Sequence, residues 1–183
     1  MPPEDDLHAL AGAAAGGDPA AFAALVRATQ RDVMRFLGSL AHRRDVEDLT
    51  QETFLRAFRA LPGFAGRSTV RTWLFAIAKR VAADAVRHAS SRPRLVTLGD
   101  WHGVAEPDSV RFEEEHALRD LLGGLAPERQ EAFVLTQVAG LSYAEAAEIC
   151  GCPVGTIRSR VARARDDLAA ALAEARPSVR GAG

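Results

Sequence analysis

Four arginines, Arg158, Arg160, Arg163 and Arg165, fall within eight residues of one another, directly after a Gly-Cys-Pro turn. A planar guanidinium grips two acceptors at once, so arginines at this density suit phosphates and guanine edges. Beneath them Val154, Ile157, Val161, Ala164 and Leu168 recur three and four apart, the stripe of a helix with one buried side. That stripe turns Ser159 and Arg163 outward, sets Thr156 and Arg160 close to the outer face and puts Arg158 on a flank. The candidate contacts to duplex DNA are therefore Thr156, Arg158, Ser159, Arg160 and Arg163. Arg165 sits nearer the boundary and reaches outward by its stem.

The segment before the turn, Ser142 to Cys150, reads as a short helix whose Ala144 and Ala147, with Gly151 after it, admit a close helix crossing. A short helix, a glycine turn and a second helix with a basic outer face form the helix-turn-helix plan, in which the second helix enters the major groove. Read alone, an arginine-rich helix is a solvated face; the preceding helix and turn favour DNA binding.

A second basic surface lies upstream. Between Arg67 and Arg94, seven basic residues (Arg67, Arg71, Lys79, Arg80, Arg87, Arg92 and Arg94) stand against Asp84 alone. Helical counting puts Phe75 outside, and Phe64 lies in the adjoining loop. Exposed rings among cations offer single-stranded nucleic acid a stacking face and phosphate contacts, though periodicity equally allows a core or partner role for either ring. Trp73 reads as packing. A third group, Asp45, Asp48 and Glu52, is acidic, with Leu55 beside it. Glu52 and Arg56 make a favourable i,i+4 pair, but a leucine exposed among carboxylates points to a protein contact.

Catalytic patterns are missing: there is no Gly-rich phosphate loop, paired-histidine zinc motif or nucleophile elbow, so neither an enzyme nor a cofactor or metal is expected. Cys150 and Cys152, one glycine apart, are too close for a typical zinc half-site and read as small residues filling the turn. The acidic start lacks a secretory pattern, and no apolar run approaches a bilayer span, so a cytoplasmic protein without membrane insertion is expected.

These groups must be carried by helices. The 183 residues hold 23 basic and 24 acidic side chains, so charge distribution, not its sum, is informative. Asp18-Pro19 signals the start of a helix over 18–41, with Phe22, Leu25, Val26, Thr29, Val33, Phe36, Leu37 and Leu40 inside. A shorter helix precedes it. The next helix begins at Asp45, buries Val46, Thr50, Phe54, Ala57, Phe58 and Leu61, and ends at Pro62-Gly63. A third runs from Val70 to Ala89, capped by Ser68 or Thr69, with Val70, Leu74, Ile77, Val81 and Ala85 inside. From Arg92 the period dissolves into an acidic stretch before three helical pieces: "HALRDLLGGL", "PERQEAFVLTQVAG" and the helix-turn-helix. The expected fold is all-α: an N-terminal extension (1–17), a helical domain (18–91), a flexible acidic linker (92–115), a helix-turn-helix domain (116–176) and a tail (177–183).

"VEDLTQETFLRAFRALPGF", "TVRTWLFAIAKRVAADAVRH" and "LAPERQEAFVLTQVAGLSYAEAAEICGCPVGTIRSRVARARDDL" resemble, in that order, the bacterial sigma-70 superfamily, specifically its extracytoplasmic-function group. The resemblance implies a sigma factor that binds core RNA polymerase and directs it to promoter DNA, commonly held in check by an anti-sigma factor. It implies that the segment from Asp48 to Phe58 docks on the clamp helices of the largest polymerase subunit, giving Asp45, Asp48, Leu49, Gln51, Glu52 and Leu55 as contacts. It also implies that Phe64, Arg67, Arg71, Phe75, Lys79, Arg80 and Arg87 hold the melted downstream element, with the loop from Pro62 to Ser68 capturing a flipped base. The last helix would read the upstream element as duplex. The sequence departs from the pattern at Arg80, where asparagine is frequent; Asp84 and Arg87 fit it. The chain ends soon after the last helix, leaving no further C-terminal domain expected. The other class is a stand-alone helix-turn-helix regulator whose front domain senses a ligand or dimerises.

Overall fold

The computed structural model describes residues 3–91 and 121–175, and every regular element among them is helical. In chain order these are α1 (Glu4–Ala15), α2 (Pro19–Leu40), a 3-10 turn (Arg43–Asp45), α3 (Val46–Ala60) and a second 3-10 turn (Leu61–Gly63). There follow α4 (Val70–Ser91), α5 (Pro127–Phe133) running on through a π-helical turn (Val134–Val138), α6 (Tyr143–Cys150) and α7 (Val154–Ala175). The expected acidic linker lies outside the described residues, as does the first half of "HALRDLLGGL".

Local chemistry sets the boundaries. Asp18 caps α2, its Oδ1 accepting from Ala20 N at 2.8 Å and Ala21 N at 3.2 Å, with Pro19 supplying a preset φ at the first helical position. Ser142 and Glu145 form a capping box on α6: Ser142 Oγ accepts from Glu145 N at 3.2 Å, and Glu145 Oε2 accepts from Ser142 N at 2.8 Å. Gly151 ends α6 at φ 65°, ψ 37°, a left-handed conformation that a Cβ would penalise and that turns the chain into α7.

In the front half α1 and α3 pack on α2 and α4 around Leu25, Phe36, Leu37, Leu74 and Val81. In the rear half α5 and α6 pack on α7 around Leu135, Ile149, Ile157, Val161 and Ala164. The halves share one continuous apolar cluster, because α4 packs against α6 and α2 against α5. Ile157 is fully buried at the heart of the rear half. Ile157→Ala is expected to destabilise the protein by about 2–5 kcal/mol, the cost of the lost burial plus the cavity left behind. Urea unfolding followed by circular dichroism measures it.

Candidate nucleic-acid interface

The basic face of α7 is presented as its stripe requires. Ile157, Val161 and Ala164 are buried, while Arg158, Ser159 and Arg163 are exposed. Thr156 and Arg160 are half-buried, Arg160 with Nη1 3.7 Å from Cys152 Sγ. Val154, expected inside, stands at the exposed first turn. Arg165 donates to Gln137 Oε1 at 2.7 Å, and Arg129 pairs with Asp167 at 2.6 Å, tying α7 to α5 and its π-helical turn. The two cysteines are free thiols. Burial, reinforced by the Glu131 carboxylate, pushes Cys150 up to about 12, which keeps it protonated and inert at neutral pH. Among the described residues no group of three or more His, Cys, Asp or Glu converges as a metal site would need.

The front basic residues divide. Arg67 and Arg80 are exposed. Arg71 donates to the backbone carbonyl of Ala139, and Lys79 pairs with Glu131 at 2.8 Å, so two of the expected DNA cations are engaged by the rear half. Arg87 pairs with Asp84, which also accepts from Arg56 at 2.6 Å. The hydrogen bond from Arg56 holds the Asp84 carboxyl below the usual range, and the same bond raises Arg56. Phe64 is half-buried and held between two rings, His8 at 5.7 Å and Trp73 at 5.0 Å between centroids.

Phe75 corrects the sequence reading. It is 2% exposed, packed edge-on against Phe36 at 5.1 Å, and offers no face to a base. Helical counting put it outside by assuming one buried side. Helix α4 has α2 and α3 on one flank and α6 on another, so Thr72, Leu74, Phe75, Ala78 and Val81 are all buried.

The hydroxyls of Thr69 and Thr72 donate to Glu145 Oε1 at 3.0 and 3.1 Å. One carboxylate thus completes its own helix cap and clasps the two halves. Burial raises the Glu145 pKa, but the hydrogen bonds from Ser142, Thr69 and Thr72 outweigh it and hold the group below its ordinary value. A depressed folded-state pKa means the clasp is at full strength above the unfolded value of about 4.3 and is lost as pH falls through the lower folded value. Small-angle scattering should show the radius of gyration rising in that acidic window. Glu145→Ala should expand the protein already at neutral pH.

On α3, Asp48 and Gln51 are exposed and Glu52 half-buried, accepting from Arg56 Nε at 2.7 Å; Asp45, in the 3-10 turn just before α3, is half-buried. Leu55 is 44% exposed. Leu49 is a second correction: at 8% exposure it belongs to the core and cannot meet a partner. The buried face is Leu49, Thr50, Thr53, Phe54 and Ala57, with both threonine hydroxyls satisfied by donation to Val46 O and Leu49 O at 2.7 Å. This rotates Phe58 out to 53% exposure, edge-on to Phe22 at 5.0 Å. The i,i+4 pairs Leu49–Thr53 and Thr50–Phe54 carry that signal in the sequence; Thr69, Thr72 and Glu145 carry none for their long-range meeting.

Two family descriptions match the chain, "Sigma-70 region 2" over residues 25–92 and "Sigma-70, region 4" over residues 115–168. The chain is 48% identical to the ECF RNA polymerase sigma factor SigC of Mycobacterium tuberculosis over 176 residues, 95% of this chain and 94% of that one. It is 34% identical to the ECF RNA polymerase sigma-E factor of Haemophilus influenzae over 163 residues, 82% of this chain and 86% of that one. Among solved structures it is similar to CnrH in complex with the cytosolic domain of CnrY, at TM-score 0.75 and 29% identity over 93% of this chain and 99% of that one. It is also similar to the sigma factor RpoE in complex with the anti-sigma factor NepR from Bartonella quintana, at TM-score 0.65 and 28% identity over 85% and 98% of the two chains.

Proposed function

Because the chain belongs to the extracytoplasmic-function group of the sigma-70 family, promoter-recognising initiation factors rather than enzymes, we propose how its surfaces divide that work. Helix α7 reads the upstream promoter element as duplex through Arg158, Ser159 and Arg163, with Thr156 and Arg160 supporting it at the groove edge. The loop after α3 and the outer side of α4 take the melted strand. Arg67 and Arg80 meet phosphates first, Arg71, Lys79 and Arg87 join them, and Phe64 forms a wall of the loop. The outer side of α3 (Asp45, Asp48, Gln51, Glu52 and Leu55) docks on core polymerase, and Phe58 extends that surface. The domain division follows: the front helices for docking and melting, the rear helices for duplex readout.

The observation that carries the reading is the helix-turn-helix closed at Gly151, which leaves Arg158, Ser159 and Arg163 exposed on one face of α7. With Arg71 and Lys79 engaged by the rear half, opening of the promoter requires the two halves to part. An anti-sigma factor is a further proposed partner, since the similar sigma factor from Bartonella quintana is in complex with one. No described helix is long and apolar enough to cross a membrane, and the cytoplasm is the proposed site of action because polymerase and DNA are there.

Purified protein mixed with core polymerase is expected to give a run-off transcript from promoter fragments enriched with it, while the protein alone shifts those fragments weakly. Tight, sequence-specific shifting without polymerase would instead identify a stand-alone regulator.

A further inference from the structure

Helix α1 lies outside the residues matched by the region 2 description, which begins at residue 25, yet it touches the loop after α3 at three points. The His8 ring packs against Phe64, with centroids 5.7 Å apart. A Cβ at Gly66, which has φ +65°, would stand 3.4 Å from His8 Nε2, so the same ring closes over the loop's sharpest bend. Glu4 Oε1 accepts from the backbone N–H of Val70, the first residue of α4, and lies 3.6 Å from His8 Nδ1. The core side of α1, Leu7 and Ala11, is fully buried and fixes the helix. Glu4 and His8 therefore bracket the stretch from Phe64 to the first residue of α4.

The loop needs such support. Its described backbone bonds are Phe64 N to Leu61 O at its start and Trp73 N to Thr69 O at its end. Pro62, Gly63, Ala65, Gly66 and Arg67 are all exposed. A glycine-containing loop with so few internal bonds holds one shape only if its neighbours impose it, and a preformed pocket discriminates better than one that must order on binding.

We propose that Glu4 and His8 are positioning residues that hold this loop in the shape that selects the flipped base of the melted promoter strand. The inference rests on the reading of the loop as the base-capturing element. Helix α1 contributes specificity without touching DNA: Glu4 fixes where α4 starts, and His8 fixes Phe64 and the bend at Gly66.

The test uses holoenzyme assembled from core polymerase and the full chain, on a promoter library randomised across the melted element, with sequencing of the transcripts. The wild type should show a marked base preference at one position. Glu4→Ala and His8→Ala, singly and together, should flatten that preference by about tenfold, the order expected when a positioning contact is lost. Selectivity for the upstream element and affinity for core polymerase should stay unchanged. Glu4→Gln keeps an acceptor for Val70 N and His8→Phe keeps a ring, so both should retain the preference within about twofold. His8→Ala changes a half-exposed side chain, so it remains informative if the double variant fails to fold. An unchanged preference in the folded alanine variants overturns the proposal, as does equal loss in the Gln and Phe variants. A wild-type holoenzyme that transcribes but prefers no base overturns the loop reading itself, and the inference with it.

Discussion

Replacing Arg158, Ser159 and Arg163 together by alanine is expected to reduce promoter-directed transcription by at least about a hundredfold. A bidentate arginine–guanine contact is worth about 1–3 kcal/mol, so losing two of them accounts for most of that effect. The substitutions touch only exposed positions of α7, leaving Ile157, Val161 and Ala164 in place, and alanine favours helix more than arginine or serine does. Thermal stability should therefore hold while transcription falls. The single variants separate two kinds of contact. A base-reading arginine relaxes selectivity at one position of the upstream element. A phosphate-binding arginine weakens all promoters alike and flattens the salt dependence. Run-off assays on an intact promoter and on one with a scrambled upstream element measure both. Equal transcription from the triple variant would remove α7 from promoter recognition.

Reversing charge at Asp48 and Glu52 should have the second large effect. Asp48 is exposed on α3 and makes no described side-chain hydrogen bond or ion pair, so Asp48→Lys breaks none. Glu52 already holds Arg56 at 2.7 Å, and Arg56 in turn holds Asp84. Glu52→Lys thus places like charges side by side and costs something locally as well. Like charges brought face to face across an interface weaken binding by several kcal/mol. The double variant should therefore bind core polymerase about a hundredfold more weakly, seen as a shifted anisotropy titration of labelled protein. Asp48→Lys alone should show a clear share of that loss, with only a small drop in melting temperature from placing a cation in the first turn of α3. Leu49, being in the core, is expected to behave differently: its truncation lowers stability before it changes affinity.

What the sequence revealed and what it hid follow one physical rule. Signals carried by a few adjacent residues were legible. The cap at Asp18-Pro19, the break at Pro62-Gly63, the Ser142 start and the Gly151 end of the helix before the turn all stand where expected. The outward side of α7 was legible too: Ile157, Val161 and Ala164 of the expected stripe are buried, and Arg158, Ser159 and Arg163 are exposed. Phe75 was misjudged because α4 is covered from two directions, which a single-helix period cannot express. Leu49 and Phe58 exchanged roles because Thr53, left out of the expected stripe, is buried beside Thr50 and donates its hydroxyl back to Leu49 O, a burial that polarity scales disfavour. The clasp of Glu145 on Thr69 and Thr72 joins residues more than seventy positions apart. Nothing in either segment announces the other.

We propose that these surfaces open a promoter only when polymerase holds the front half. Permanganate reactivity of thymines in the melted element tests it most directly, on promoter DNA with core polymerase, with the protein, and with both. The account predicts reactive, unstacked thymines in the complete mixture alone, and their disappearance when the protein carries Asp48→Lys and Glu52→Lys. Reactivity with the protein alone, or undiminished reactivity with the charge-reversed variant, would contradict it.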